Sequence, residues 1–395
     1  EKKTKDEKRE KLTSKKASKN TEVSTKTSPR LSRIAQAPAV STDISTDYFH
    51  IAPAYTSQVQ AFIPISTGCD KFCTYCIVPY ARGREVSRKM EDILAEAEQL
   101  VANGCLEITL LGQTVDSYGL SNIDRQKKLF NYDKIDAGIE LPPFVQLLEK
   151  LDKLSKKGLK RIRFTSPHPK DVSQALIECY GRLKTLMPHI HLPVQSGDNT
   201  TLKRMNRPYT IERYKEIIKA LRASRPDIAI TTDLIVGFCG ETEKEFKNTY
   251  KFFKELEFDF SYISQYSVRR GTYATKNFEN DVSRSEKARR WHLINDLLKK
   301  NVQKKLDKFI GKTVEVLVEQ EELIEADKNA KTGKTKTDKA SKLAKPQMQY
   351  RGKSEHMKEV QFLSPRLSPH KSLKGTIQKV HIKEAHDWML FGELV

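Results

Sequence analysis

The sequence predicts an α/β fold: a partial (β/α)6 barrel followed by a small antiparallel β-barrel. Three observations predict it. Short apolar runs alternate six times with helical periods between residues 61 and 310. Strand–helix repeats of that kind make parallel strands joined by right-handed crossovers. From Gly311 the helical period gives way to five runs of period 2, the pattern of antiparallel strands.

The elements follow in order. Ala61–Ser66 (AFIPIS) is the first strand. Met90–Asn103 is a helix with Ile93, Leu94, Ala97, Leu100 and Val101 on one face. Strands over Glu107–Leu111, Arg161–Thr165, His189–Val194, Ile228–Val236 and Phe258–Tyr266 alternate with helices over Phe144–Lys156, Lys170–Tyr180, Thr210–Ala223, 242–256 and 283–309. Thr242 with Glu245, and Ser283 with Glu286, have the spacing of capping boxes. Six units are fewer than the eight of a closed barrel, so a lateral gap is expected, wide enough for a macromolecule. The last five strands are expected over Thr313–Glu319, Met348–Arg351, Lys358–Leu363, Gly375–Ile382 and Trp388–Val395, a small barrel of a kind that binds nucleic acid.

Composition bounds the rest. Of 395 residues, 37% are hydrophobic, and the formal net charge is +20, an excess that favours polyanions. Residues 1–45 are rich in Lys, Ser and Thr and are predicted to be disordered, since they have too little apolar surface to offset the entropy of ordering. Residues 46–60 read as a linker. Residues 61–310 read as the strand–helix core and 311–395 as the C-terminal domain, with a disordered loop at 325–345. No run of about 18 apolar residues is present, and no signal peptide is visible, so a cytoplasmic, membrane-free protein is expected. Residue 1 is Glu, which suggests a fragment.

Three of the six cysteines cluster in Cys69-Asp-Lys-Phe-Cys73-Thr-Tyr-Cys76, directly after the first strand. Three thiolates on one tight loop can hold three irons of a [4Fe–4S] cluster and leave the fourth open. An open iron can chelate the amino and carboxylate groups of S-adenosylmethionine, and one electron from the cluster then breaks a C–S bond to release a 5′-deoxyadenosyl radical. Structural zinc would require a fourth ligand. No second paired half-site exists, and His50 is the one nearby candidate.

At these residues the chain resembles the radical-SAM superfamily. More closely, it resembles the MiaB-type methylthiotransferases, which add a methylthio group to adenosine 37 of tRNA. The stretches that carry the resemblance are Gly68–Arg88 (GCDKFCTYCIVPYARGREVSR), Leu110–Gly119, Arg161–Pro169, His191–Thr210 (HLPVQSGDNTTLKRMNRPYT) and Thr231–Thr242. The resemblance implies a radical-SAM barrel and a C-terminal TRAM-like RNA-binding domain. It implies C2 methylthiolation of N6-isopentenyladenosine, with the threonylcarbamoyladenosine branch or a non-catalytic Fe–S RNA-binding protein as alternatives. Its implied partners are the tRNA anticodon loop, an electron donor such as flavodoxin or ferredoxin, and a sulfur donor. A monomer is expected.

Other candidates face the expected barrel mouth, where barrel chemistry belongs: Gln113, Ser166 and Gln195 end strands, and Asp233 lies within the fifth. Gln113, Ser166, Gln195 and Asp233 are candidates for cofactor binding. Arg82, Arg84, Arg88, Lys203, Arg204 and Arg207 are candidates for RNA phosphates. His191 reads as a core histidine. The family also carries an N-terminal domain with three further cysteines and a second [4Fe–4S] cluster. Its ligands are absent here, since Cys105, Cys179 and Cys239 are dispersed. The stretch YSVRRGTYA (Tyr266–Ala274) adds charge near the barrel exit.

Overall fold

The computed structural model describes residue 49 and residues 55–120, 141–324, 347–365 and 372–395. The segment predicted over 1–45, most of the 46–60 linker with His50, and the 325–345 loop lie outside the described residues.

Six parallel strands form the first part: β1 (Gln60–Pro64), β2 (Glu107–Leu111), β3 (Arg161–Phe164), β4 (His189–His191), β5 (Ala229–Val236) and β6 (Phe260–Gln265). Their helices are α1 (Met90–Ala102), α2 (Pro143–Asp152), α3 (Gln174–Arg182), α4 (Ile211–Ser224), α5 (Glu243–Leu256) and α6 (Arg284–Asp307). Strands β1, β2 and β3 make one parallel ladder, and β4, β5 and β6 a second. Between β3 and β4 a single bridge, Ile162 to Leu186, carries the sheet across. The following Pro188 has no N–H to extend it. Pro193 likewise ends β4 three residues before the predicted Val194 boundary.

The core lies where the pattern placed it. Ile93, Ala97 and Val101 bury one stripe of α1. Thr242 and Glu245 form the expected box: Thr242 Oγ1 accepts from the Glu245 amide, and Glu245 Oε2 accepts from the Thr242 amide. Ser283 caps α6, but the second half of its predicted box is not formed. The Glu286 carboxylate instead accepts from Arg289 and Arg290, because two guanidinium donors outcompete one neutral amide.

The C-terminal strands are β7 (Thr313–Ile324), β8 (Gln347–Ser354), β9 (Glu359–Pro365), β10 (Ile377–His386) and β11 (Met389–Leu394). They close into a barrel in the order β8-β9-β11-β10-β7. The expected all-antiparallel pairing is corrected at one seam, where β9 and β11 run parallel. Five is odd, so directions cannot alternate all the way round a ring.

This barrel packs across the N-terminal end of the parallel strands. Arg161 donates to the carbonyls of Lys353 and Glu315, and Arg163 to those of Ser354 and Glu355. Glu107 accepts from Arg163 at 3.0 Å and lies 3.6 Å from Arg161, with all three side chains under a tenth exposed. Lys358 donates to Asp259. The opposite end of the strands is left to the cysteine loop.

Candidate functional site

The cysteine loop leaves β1 through Gly68, whose φ is +74°. A Cβ there would lie 2.0 Å from the Arg84 carbonyl oxygen, so only glycine lets the chain pass that close to the Gly83–Arg84 backbone. The loop is then tied down by backbone bonds. The Cys69 amide donates to Gly83 O and the Cys76 amide to Cys73 O. Phe72 holds φ +48° while its ring lies under the Arg84 guanidinium. A bulky residue in that region marks local strain held in place by its surroundings.

A second segment, Arg204–Arg207, cradles the loop. Asn206, itself at φ +55°, donates to Phe72 O at 2.9 Å, Thr74 Oγ1 donates to Arg204 O, and the Thr74 amide to Met205 O. Arg207 is buried. It donates to Cys73 Sγ at 3.4 Å, to Pro193 O at 2.8 Å and to Tyr209 Oη at 2.9 Å. A third set anchors the loop from below. Lys71 pairs with Asp171, with both side chains under a tenth exposed. The carboxylate of neighbouring Asp116 accepts from the His168 amide at 2.9 Å. Burial, then the Asp171 charge, push the Asp116 carboxyl well above the usual range.

Do these residues fit an iron–sulfur cluster? Among the described residues, no three His, Cys, Asp or Glu side chains converge on one ion. A cubane does not ask for that, since each thiolate takes its own iron. The positive observation is Arg207. Its hydrogen-bond partners are a sulfur, a carbonyl and a phenol, so its buried charge is met by no carboxylate among them. An unbalanced buried cation is costly, and an anionic thiolate-bound cluster would balance it. Burial also pushes the Cys69 thiol up to about 12, so a bare thiolate is disfavoured there until iron replaces the proton. The residues fit.

The remaining candidates divide. Gln113, Ser166 and Gln195 lie just beyond the ends of β2, β3 and β4, and parallel pairing brings those ends to one side. Ser166 and Gln195 have φ of +58° and +68°, two more strained positions at this end. The Gln195 amide donates to Asp233 O, and Gln195 O accepts from the Ile235 amide. Asp233 lies mid-strand and meets His191 Nε2 at 3.3 Å. His191 is therefore not the core histidine expected. With His189 it alternates around Ile190, so both imidazoles project from the concave face while Ile190 packs beneath the helices.

Among the six basic candidates, Arg82 and Lys203 are exposed, and Arg84 is nearly half exposed beside Asp70. The other three are corrected. Arg88 pairs with Glu96, Arg204 with Glu245, and Arg207 is buried against Cys73. Each found a carboxylate or sulfur inside the fold that its sequence neighbours do not reveal. Conversely, Arg269 and Arg270 are exposed beyond β6, and the Arg269 charge is felt at Cys76. The RR of YSVRRGTYA was their signal in the sequence.

Two expected results follow from this geometry. Arg207→Met should retain the loop but lose a charge-assisted N–H···S contact, lowering cluster reduction rate about 10- to 100-fold, with partial recovery in Arg207→Lys. Stopped-flow reduction and a potential titration check it, and an unchanged potential would count against the contact. The second concerns pH. Burial holds His168 and His189 well below 6.5, so both are neutral in the native state. Their stabilisation is complete above pH 6.5. It is lost as pH falls, by about 1.4 kcal/mol per pH unit for each, because the unfolded chain takes up protons the native one refuses. Denaturant melts of His189→Asn against the parent isolate one proton of that slope.

A parallel strand fan whose first loop carries three cysteines defines a protein of the radical-SAM class, and residues 63–253 match the Radical SAM superfamily model. A tRNA-2-methylthio-N(6)-dimethylallyladenosine synthase of Geobacillus kaustophilus is 41% identical over 86% of this chain and 55% of its own length. One from Opitutus terrae is 45% identical over 68% of this chain and 53% of its own. One from Paraburkholderia xenovorans is 37% identical over 88% of this chain and 68% of its own. The chain belongs to the tRNA-2-methylthio-N(6)-dimethylallyladenosine synthase family. It spans little more than half the length of the first of these relatives.

Proposed function

We propose that this chain supplies the radical-generating and RNA-binding parts of a tRNA methylthiotransferase acting on C2 of N6-dimethylallyladenosine in the anticodon loop. The observation that carries it is the cysteine loop. Cys69, Cys73 and Cys76 stand at the C-terminal end of a parallel strand fan, against a buried guanidinium that has no carboxylate partner among the described residues. When bound, a [4Fe–4S] cluster with S-adenosylmethionine supplies a 5′-deoxyadenosyl radical able to take a hydrogen atom from carbon.

In this reading the chain's own residues hold and orient. The three cysteines hold the cluster, and Arg207 balances its charge. Gln113, Ser166, Gln195 and Asp233 bind the polar parts of S-adenosylmethionine. Arg82, Arg84, Lys203, Arg269 and Arg270 take backbone phosphates. The closed C-terminal barrel serves as a TRAM-like RNA-binding unit. An external electron donor and a sulfur donor complete the reaction.

The test is anaerobic reconstitution with iron and sulfide, reduction, and addition of S-adenosylmethionine with tRNA carrying the dimethylallyl group. Formation of 5′-deoxyadenosine that depends on the cluster and is stimulated by that tRNA supports the reading. RNA binding with no 5′-deoxyadenosine would replace it with a structural cluster. Stimulation by threonylcarbamoyladenosine-containing tRNA alone would move the substrate to the other branch.

A further inference from the structure

A line of hydrogen-bonding side chains crosses the concave face of β4 and β5 and ends on Asp233. Thr231 and Asp233 alternate with Thr232 on β5, so both project from one face. His191 is the ladder partner of Thr231, and His189 precedes it on the same face of β4. The Thr231 hydroxyl lies 3.1 Å from His189 Nε2 and 3.0 Å from His191 Nδ1. On its other side, His191 places Nε2 3.3 Å from Asp233 Oδ1. Tyr262, the ladder partner of Asp233, meets the His191 ring edge-on, with centroids 6.0 Å apart. The line is tied to the cysteine end through β4. Arg207, which donates to Cys73 Sγ, also donates to the carbonyl of Pro193, just past His191. Gln195 follows, and its amide donates to Asp233 O at 2.8 Å.

Counting donors gives the line a direction. An ionised carboxylate only accepts, so His191 Nε2 must carry a hydrogen to bond Asp233. The Thr231 hydroxyl has one hydrogen to share between two ring nitrogens. With a neutral His191, that hydrogen goes to the bare Nδ1, and Thr231 Oγ1 accepts from His189 Nε2. With a doubly protonated His191, the hydroxyl turns to His189, and Nε2 still donates to Asp233. Both arrangements end in the same contact. Without the hydroxyl, a neutral His191 is free to carry its hydrogen on Nδ1 and to turn a lone pair on the carboxylate. The bond made by one imidazole nitrogen thus sets the state of the other. We propose that His191 is a positioning residue: Thr231 and His189 set its tautomer, and it fixes Oδ1 of Asp233 so that the second carboxylate oxygen is held ready for S-adenosylmethionine. That oxygen bonds no side chain among the described residues, and the Asp233 side chain is 35% exposed. A carboxylate oriented before binding loses less freedom when the ligand arrives. This rests on the cofactor role given to Asp233 above.

The experiment compares His191→Phe, His191→Gln, Thr231→Val and Thr231→Ser with the parent. Equilibrium dialysis measures S-adenosylmethionine binding to protein reconstituted to equal iron content. His191→Phe keeps a ring against Tyr262 but supplies no donor. It should bind about ten- to a hundredfold more weakly, the usual worth of a hydrogen bond to a charged group. His191→Gln, whose amide N–H reaches the place of Nε2, should recover most of the loss. Thr231→Val should weaken binding in the same direction, and Thr231→Ser should match the parent. A second readout needs no cluster. Nitrogen NMR of histidine-labelled protein before reconstitution should find a hydrogen on His191 Nε2 in the parent and a tautomer mixture in Thr231→Val. A bare His191 Nε2 in the parent, equal binding by His191→Phe, or a loss that His191→Gln does not restore overturns the positioning role. The proposed function then stands, provided the parent forms 5′-deoxyadenosine. If the parent binds no S-adenosylmethionine, both fall.

Discussion

Cys76→Ala is expected to abolish 5′-deoxyadenosine formation, a loss of at least about 100-fold. The variant leaves two sulfurs for three irons. The site binds S-adenosylmethionine productively only while one corner is open and the other three are held by protein. The fold should survive, because the loop is fixed by Asn206, Thr74 and the Lys71–Asp171 pair, not by the Cys76 side chain. Iron content and visible absorbance after reconstitution, with circular dichroism as the folding check, read the outcome. Cys239→Ala is the control. That thiol is buried beside Tyr266 and belongs to a separate small core, so cluster content should not change. Full cluster content and activity in Cys76→Ala would remove that cysteine from the ligand set.

Arg163→Met is expected to cost about 3–5 kcal/mol, the largest stability effect of any single change considered. Arg163 is buried where the parallel strands meet the C-terminal barrel. It satisfies two carbonyls of the Ser354–Lys358 turn and pairs with Glu107. Removing it leaves the Glu107 carboxylate with only Arg161 at 3.6 Å and the neutral Gln60 amide, and leaves Ser354 O and Glu355 O without that donor. Methionine fills part of the volume but supplies no hydrogen. Denaturant melts should show the loss, and limited proteolysis should cut near residue 311 as the barrel loosens. The double variant Glu107→Gln with Arg163→Met should recover part of the loss, because the buried carboxylate charge is then gone as well. Additive effects would show that the two side chains are not coupled.

Much of this architecture was readable in the chain. Glu107–Leu111 occupies its predicted bounds, and the Thr242–Glu245 box forms as its spacing foretells. These are local matters: apolar periodicity and capping act within a few residues. The cysteine loop was readable for the same reason, since its three sulfurs lie within eight residues. Errors appeared where the answer depended on distant partners. Arg207 looked like a solvated phosphate contact, three residues past Arg204. Only folding brings it 134 positions back to Cys73. His191 looked like core because its neighbours are apolar. Its direction depends on which sheet face the helices cover, and that is settled by β5 and β6.

The sequence by itself determined the strand–helix rhythm, the three-sulfur loop and the change of period at Gly311, because each is set by bonds and contacts between near neighbours. Tertiary structure alone decided which charges face inward, how five strands close with one parallel seam, and that Trp388 meets the ring of Phe260 edge-on. Those outcomes depend on groups far apart in the chain, and desolvation assigns their partners only once the layers have packed.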